Sequence, residues 1–455
     1  MTRVNTAHRK NERGITIVLV AFSLLALLGM AALAIDVSTL YVAHGEAQRA
    51  ADAAALAGAR MFASSGYTSI STPAPTTPVA ADVCQTSATP GADAAANRQA
   101  EAVAAQNLVG GQPAAVQSII CNNTVANPQI SVTIQRTGLP TFFGRIWGGT
   151  ANSVSATAVA EAYNPSGSTA PIQVQGVKPW LIPDCDPDPA NPGPSDCGGG
   201  VGAFIDPLDG SIKNNGSFVG HTIVLTPVGA TPPNVRPVPR SLDYYRANIP
   251  MNPPTPVCPS TSSISCGQVG SDVYHDNIAC SSTSQFSCGQ TIGLGQTVTV
   301  GGAGSDLLTD EATQCLIHAN GQGVGPEQDQ LIPIGVPPNG TSPTRIEGGN
   351  DNPNPSLQGV TNISRSDSIV TVPIYHKTVP PLTDLCPGGC NQTATIVGFL
   401  QLGIQQNVPI GGAPAGIDGK IEGVIINVGG CNPGAGNPII SGGGVSPIPV
   451  RLIHQ

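Results

Sequence analysis

Apolar positions are distributed along this chain in three ways. Residues 15–35, ITIVLVAFSLLALLGMAALAI, are one uncharged apolar run. At about 1.5 Å per helical residue it spans roughly 30 Å, the thickness of a bilayer's hydrocarbon core. Residues 36–62 continue without proline in a helical rhythm, with Val37, Leu40, Tyr41, Ala47, Ala51, Ala54 and Ala55 recurring at three- and four-residue spacing. Together they predict one helix over 15–62, about 70 Å long. Farther on the apolar period changes to two, the signature of strands.

A cleaved secretory signal has an apolar region of only about 7–15 residues. The longer run, continuing into a second helical half, therefore predicts an uncleaved membrane anchor whose lipid-facing residues include Ile15, Leu19, Phe22, Leu25, Leu28 and Ile35. The alanine density from 47 to 59 predicts a close helix–helix contact, because small side chains let two backbones approach. Ala47, Ala51, Ala54 and Ala55 are its candidate residues, as a packing surface for a partner helix.

Residues 64–80 read as a Ser/Thr/Pro spacer and 91–108 as a second Ala-rich helix stopped by Gly110-Gly111. Segments 130–136 and 153–163 alternate and are strands. PTFFGRI, 140–146, reads as a helical turn opened by Pro140, with Phe142 and Phe143 buried. After Pro165, strands are predicted at 221–227, 296–300, 368–376, 393–404, 420–428 and 447–454, with a helix at 305–319 capped by Ser305. The fold class is α+β. Residues 1–14 form a basic tail, 15–35 a transmembrane helix, 36–163 a small α+β module, and 164–455 a mostly β, cysteine-containing domain with long loops.

Charge sets the orientation. Arg3, Arg9, Lys10 and Arg13 against Glu12 give residues 1–13 a net +3, while the whole chain is −9, leaving −12 for the remainder. The positive-inside rule keeps the tail in the cytoplasm and exports everything after Asp36. The acidic exported part argues against a nucleic-acid partner. All twelve cysteines lie at or after Cys84, as in an oxidising compartment. Short spacings make Cys185/Cys197, Cys266/Cys280, Cys280/Cys288 and Cys386/Cys390 plausible staples, without fixing the connectivity. Charged residues are only 10 % of the chain, and Gly (55) and Pro (43) are abundant, which suits a turn-rich exported β protein.

The segment 13–59 has enough character to compare. Arg13-Gly14 precedes the apolar run, Ala34-Ile35-Asp36-Val37 ends it, Tyr41-Val42 follow, and the run from Gln48 to Ala59 reads QRAADAAALAGA. This resembles the TadE/TadG-like Flp pilus-assembly proteins of bacteria, as does 140–162 more loosely. KPWLIPD (178–184), ISRSDSIVTVPIYH (363–376) and IVGFLQLGI (396–404) are similar to the C-terminal half of TadG-type proteins. The resemblance implies a single-pass protein of the inner membrane, its bulk periplasmic or extracellular, that serves tight-adherence pilus assembly beside other assembly or secretion proteins. It supplies no catalytic residues. Type IV pilins and the small TadE-type pseudopilins carry Glu at the fifth position after the glycine. Here that position is Leu19, which predicts a membrane-resident accessory protein rather than a processed filament subunit.

The remaining motifs have ordinary explanations. Asp36-Val37-Ser38 begins like a metal-ion adhesion motif but lacks its second serine. Asp206-Pro207-Leu208-Asp209-Gly210 has no Glu twelve positions on and reads as a Gly-capped turn. Cys386-x-x-x-Cys390 fits a disulfide better than a redox or zinc site, and Cys315 with His318 fits a disulfide beside a surface histidine. There is no nucleophile elbow and no phosphate-binding loop. The sequence therefore predicts a non-enzymatic protein without cofactor or metal. The alternative is a membrane-anchored exported adhesin or enzyme whose activity lies in residues 165–455.

Overall fold

The computed structural model describes residues 12–70, 78–124, 127–144, 151–167, 172–185, 204–206, 208–213, 218–227, 241–252, 254, 258, 273–294, 307–318, 326–333, 344–361, 363, 365–376, 393–407, 419–431, 440–441 and 445–453. The continuous helix expected at the N-terminus is α1, Glu12–Ser64, 53 residues long. Its Leu/Ala-rich sequence has high helix propensity and no proline. After a single 3-10 turn at Tyr67–Ser69 come α2 (Pro78–Val83) and α3 (Ala95–Gln106), then the short strands β1 (Leu108–Val109) and β2 (Gln112–Pro113). Three longer strands follow, β3 (Ala115–Asn122), β4 (Gln129–Leu139) and β5 (Asn152–Ala162).

Gly110 and Gly111 do not end the helix, which stops at Gln106. Both have positive φ, 59° and 77°, and form the two-residue turn between β1 and β2. Such turns need two left-handed residues in a row.

β3, β4 and β5 pair antiparallel. Ile130, Val132 and Ile134 of β4 and Ala156, Ala158, Ala160 and Ala162 of β5 are buried. They form one core with the second half of α1 and with α3. Alanine on both the helix and the sheet lets the two layers close tightly.

The rest of the chain builds β6 (Ile172–Gln175), β7 (Trp180–Pro183), β8 (Thr222–Pro227), β9 (Ser241–Arg246), α4 (Val273–Ala279), β10 (Gln285–Ser287), β11 (Thr291–Gly293) and α5 (Leu307–Ile317). These are followed by β12 (Gln330–Pro333), β13 (Thr344–Glu347), β14 (Ile369–Tyr375), β15 (Thr393–Asn407), β16 (Ile421–Gly430), β17 (Ile440–Ser441) and β18 (Val450–Ile453). The hydrogen-bonded order β15-β14-β7-β9-β8-β16 closes on itself through β16 and β15. The result is a six-stranded barrel in which β7/β14 and β8/β9 are parallel and the other pairs antiparallel. Closure satisfies both edges of the sheet. Trp180, Ile182, Leu225, Tyr244, Val372, Leu402 and Ile425 fill the interior, joined by residues of α4 and α5. Alternation turns Leu181, Tyr375 and Phe399 outward into a smaller cluster with Val174 and Phe286 of the sheet β10-β6-β17.

Three local expectations change. The strand read at 447–454 belongs not with the other C-terminal strands but with the first sheet. β18 pairs antiparallel with β5, Val450 opposite Ala162 and Ile453 opposite Val159. Arg451 Nε bonds Glu161 Oε1 at 2.6 Å, and its guanidinium lies 5.3 Å from the Tyr163 ring centre. The segment read as a spacer is instead interior where it is described: Ser65, Tyr67, Thr68 and Ser69 are buried. Phe142, expected inside, is exposed, and Phe143 is half-buried. The strand expected at 296–300, and Ser305, lie outside the described residues.

The disulfides also differ from the short-range pairs. Cys84 joins Cys121, Cys258 joins Cys280 and Cys288 joins Cys431. Cys280 therefore pairs with neither Cys266 nor Cys288. Cys185 and Cys315 are each disulfide-bonded, while Cys197, Cys386 and Cys390 lie outside the described residues.

Candidate functional site

α1 has two environments. Ile15, Leu19, Phe22, Leu25, Leu28 and Ile35 are all exposed, Phe22 by 70 %. Val37, Tyr41 and Val42 continue the bare surface past the end of the apolar run. A helix apolar all round and exposed over most of its surface is stable only in an apolar solvent. α1 is the one helix among the described residues long and apolar enough to cross a membrane. Ala32 and Asp36 are already covered, and from Ala43, only 3 % exposed, the helix is built into the protein body.

Ala47, Ala51, Ala54 and Ala55 are fully buried within the first core. The face they form is covered by α3, β4 and β5 of the same chain. The helix they accommodate is therefore α3, which corrects their expected role as a surface left open for another protein. Gly58 marks a close approach. A Cβ there would stand 3.2 Å from the Ala96 carbonyl oxygen, 3.5 Å from the Ala100 Cβ and 2.6 Å from Ile130 Cδ1.

Asp36 sits where the apolar run ends, and it is buried. Its Oδ1 accepts the Phe142 N–H at 2.9 Å, and its Oδ2 accepts those of Phe143 at 3.1 Å and Gly144 at 2.7 Å. Three consecutive amides thus converge on one carboxylate, and charge-assisted bonds of this kind are the stronger sort. They clamp the Thr141–Gly144 turn against the base of the helix. Ser38 and Thr39 turn their hydroxyls back onto the carbonyls of Ala34 and Asp36, at 2.7 and 2.8 Å. The sequence marked Asp36 only as the end of the span, because its partners lie more than a hundred residues away.

At its other end α1 is locked to the barrel. Asn427 of β16 donates to the Ala63 carbonyl, one of the acceptors left over at the helix C-terminus, and to Gln401 Oε1 at 2.7 Å. Its oxygen accepts from Ser69 Oγ at 3.1 Å, and Ser69 in turn accepts the Val428 N–H at 3.1 Å. Asn164 Nδ2 bonds the carbonyls of Thr68 at 3.0 Å and Val428 at 3.2 Å. Gly66, at φ 79°, lies against the Ile426 carbonyl with no room for a side chain.

Two of the C-terminal segments singled out in the sequence are neighbours, because β7 and β14 pair in parallel. Lys178 is buried, and its ammonium donates to the carbonyls of Asn277 (3.1 Å), Ile278 (2.9 Å) and Cys280 (2.6 Å) at the C-terminal end of α4. Burial pushes its pKa down to about 7, opposed by Asp367. His318 Nε2 lies 3.2 Å from Asp367 Oδ2, and that hydrogen bond holds the Asp367 carboxyl below its usual value against partial burial. His318 is buried, not at the surface as its sequence context suggested.

Asp184 accepts the amides of Phe204 and Ile205 at 2.8 and 3.2 Å. Burial still raises its pKa, against those bonds and the nearby His376 and Lys213. It lines a cavity of about 40 Å³ with Asp206, Ile396 and Cys431, room for about one water molecule. Asp206 and Asp209 accept the amides of Leu208 and Ser211, at 2.9 and 2.8 Å, within a turn at Gly210. No group of three or more metal-ligating side chains occurs among the described residues.

The structure defines a class: a long N-terminal helix, apolar and largely exposed over its first half, whose second half is the spine of an α+β module, joined to a β-barrel domain. Residues 14–61 match the protein family described as "Putative Flp pilus-assembly TadE/G-like". The matched segment is the bare apolar half of α1 together with nearly all of its buried half. No curated protein and no solved structure matches the chain. The family segment and the apolar helix fit a membrane-anchored, Flp-pilus-related protein.

Proposed function

We propose that this protein is a non-enzymatic accessory component of Flp-type pilus assembly. It is held in the bacterial inner membrane by residues 15–35, with its basic tail in the cytoplasm and its body in the periplasm, and it acts through contacts with other pilus-assembly or secretion proteins. The observation that supports this most is the coincidence of the family match at 14–61 with a helix whose apolar first half is largely exposed and whose second half, from Ala43, is built into the module. Such a helix makes the span and the module one rigid piece, which suits a scaffold rather than a mobile tether. The acidic body and the oxidised cysteines fit the exported side.

The test is deletion of the gene, followed by counting surface pili and isolating the detergent-solubilised full-length protein from complemented cells. Loss of pili with co-isolation of Flp assembly components is the expected outcome. Normal piliation without such components would overturn the proposal.

A further inference from the structure

The Thr141–Gly144 turn lies at an informative height. The apolar run of α1 from Ile15 to Ile35 covers about 30 Å at 1.5 Å per residue; it is almost wholly exposed up to Ala31, while Ala32 and Asp36 are already covered. The hydrocarbon core of a bilayer is about 30 Å thick. The apolar run thus matches the hydrocarbon core, and because the chain's own body already covers Ala32 and Asp36 near its end, no length remains for a stalk between membrane and body. Asp36 lies seven residues before Ala43, about 10 Å farther toward the anchor. The turn clamped to it therefore reaches down beside the helix to the level where the apolar run ends.

The chemistry of the turn suits that place. A carboxylate at the edge of the hydrocarbon needs its acceptors filled, and the amides of Phe142, Phe143 and Gly144 fill them. Those amides are themselves satisfied, as backbone near lipid must be. What the turn leaves exposed is the Phe142 ring, 58 % accessible, at a height where Val37 and Tyr41 of the helix are also bare. These residues continue the surface of the anchor itself. Aromatic side chains at this height are characteristic of membrane interfaces.

We propose that the Thr141–Gly144 turn is a membrane-contacting foot, held by Asp36, that places Phe142 in the interfacial zone of the bilayer. This rests on the anchor reading above. The foot gives the module a second point of contact with the lipid, so that it sits directly on the membrane at a fixed tilt.

The test uses the full-length protein in phosphatidylethanolamine/phosphatidylglycerol vesicles, with an environment-sensitive fluorescent amino acid at position 142, 25 or 208 in turn. Quenching is measured with lipids spin-labelled near the headgroup or at the chain end. Position 142 is expected to be quenched several-fold more than 208 by the headgroup-proximal label, and position 25 by the chain-end label. Asp36→Ala should abolish the quenching at 142 and leave that at 25 intact; Asp36→Asn, which keeps one acceptor, should fall between.

If 25 is not quenched, the anchor reading fails. If 25 is quenched and 142 is not, the foot fails alone. Quenching at 142 that survives Asp36→Ala would remove Asp36 from the mechanism. Shielding of 142 that grows with protein-to-lipid ratio, without quenching, would mean that a second copy covers the turn and would overturn the proposal.

Discussion

At the scale of single residues, the barrel domain depends on buried polar groups whose partners are distant in sequence. Lys178 shows the cost and the use of such a group. Its ammonium ties the chain just before β7 to the end of α4 through three carbonyls. Lys178→Met keeps the aliphatic stem but strands those acceptors, and should cost on the order of 3 kcal/mol in urea unfolding of the oxidised protein. Its titration gives the same residue a pH signature. Lys178 loses its proton near 7 in the fold and near 10.5 when unfolded. Between those values the unfolded chain binds the extra proton, so this contribution to stability rises with pH across the window and is smallest below it. The urea midpoint of the wild type should therefore climb between about pH 6 and pH 9 more steeply than that of Lys178→Met. Equal slopes would show that burial does not govern this lysine. Nothing in the sequence marked Lys178 as buried; KPWLIPD stood out only by resemblance.

At the scale of elements, α1 and its alanine face are the centre of the molecule. Ala51 and Ala54 are fully buried in the core that α1 shares with α3 and the sheet, so larger side chains must displace one of those layers. Ala51→Leu should destabilise the module by about 1–3 kcal/mol through overpacking, whereas Phe22→Leu on the bare half should leave the thermal midpoint of the body unchanged. A neutral Ala51→Leu would indicate that the face is open after all.

The long helix was legible in the sequence because its apolar run and its three- and four-residue spacing are local signals. The strands β4, β5, β14, β15 and β16 were legible for the same reason. β9, by contrast, is SLDYYR, with no clean alternation, and β7 is buried throughout, so neither announces itself by period. The occupant of the alanine face was not legible either. Composition predicted close helix packing, but only the fold shows that the second helix is α3. Phe142 misled for a related reason: hydrophobicity alone does not distinguish a core from a lipid-facing surface.

At the scale of the whole molecule, two features join the module to the barrel. One is the buried network around Asn427. Asn427→Leu would leave the Ala63 carbonyl, Gln401 and Ser69 short of partners, at a cost of about 2–4 kcal/mol. It should make the junction near residues 64–70 more susceptible to limited proteolysis than in the wild type. The other is β18, which crosses back from the barrel to complete the first sheet. Deleting residues 447–455 removes the buried Ile448, worth about 2 kcal/mol of apolar burial, and exposes the edge of β5. The module should then melt earlier and aggregate, although every residue from 36 to 163 is still present.

These joints matter only if the molecule stands on a membrane, and the most direct test of that is protease protection. Right-side-out spheroplasts carrying the full-length protein with an epitope at residues 2–10 are treated with protease. The barrel and module should be digested, leaving a short membrane-bound fragment that retains the epitope. Loss of the epitope from the untreated protein, or a body that stays protected while the epitope is cut, would contradict an uncleaved anchor with its tail inside.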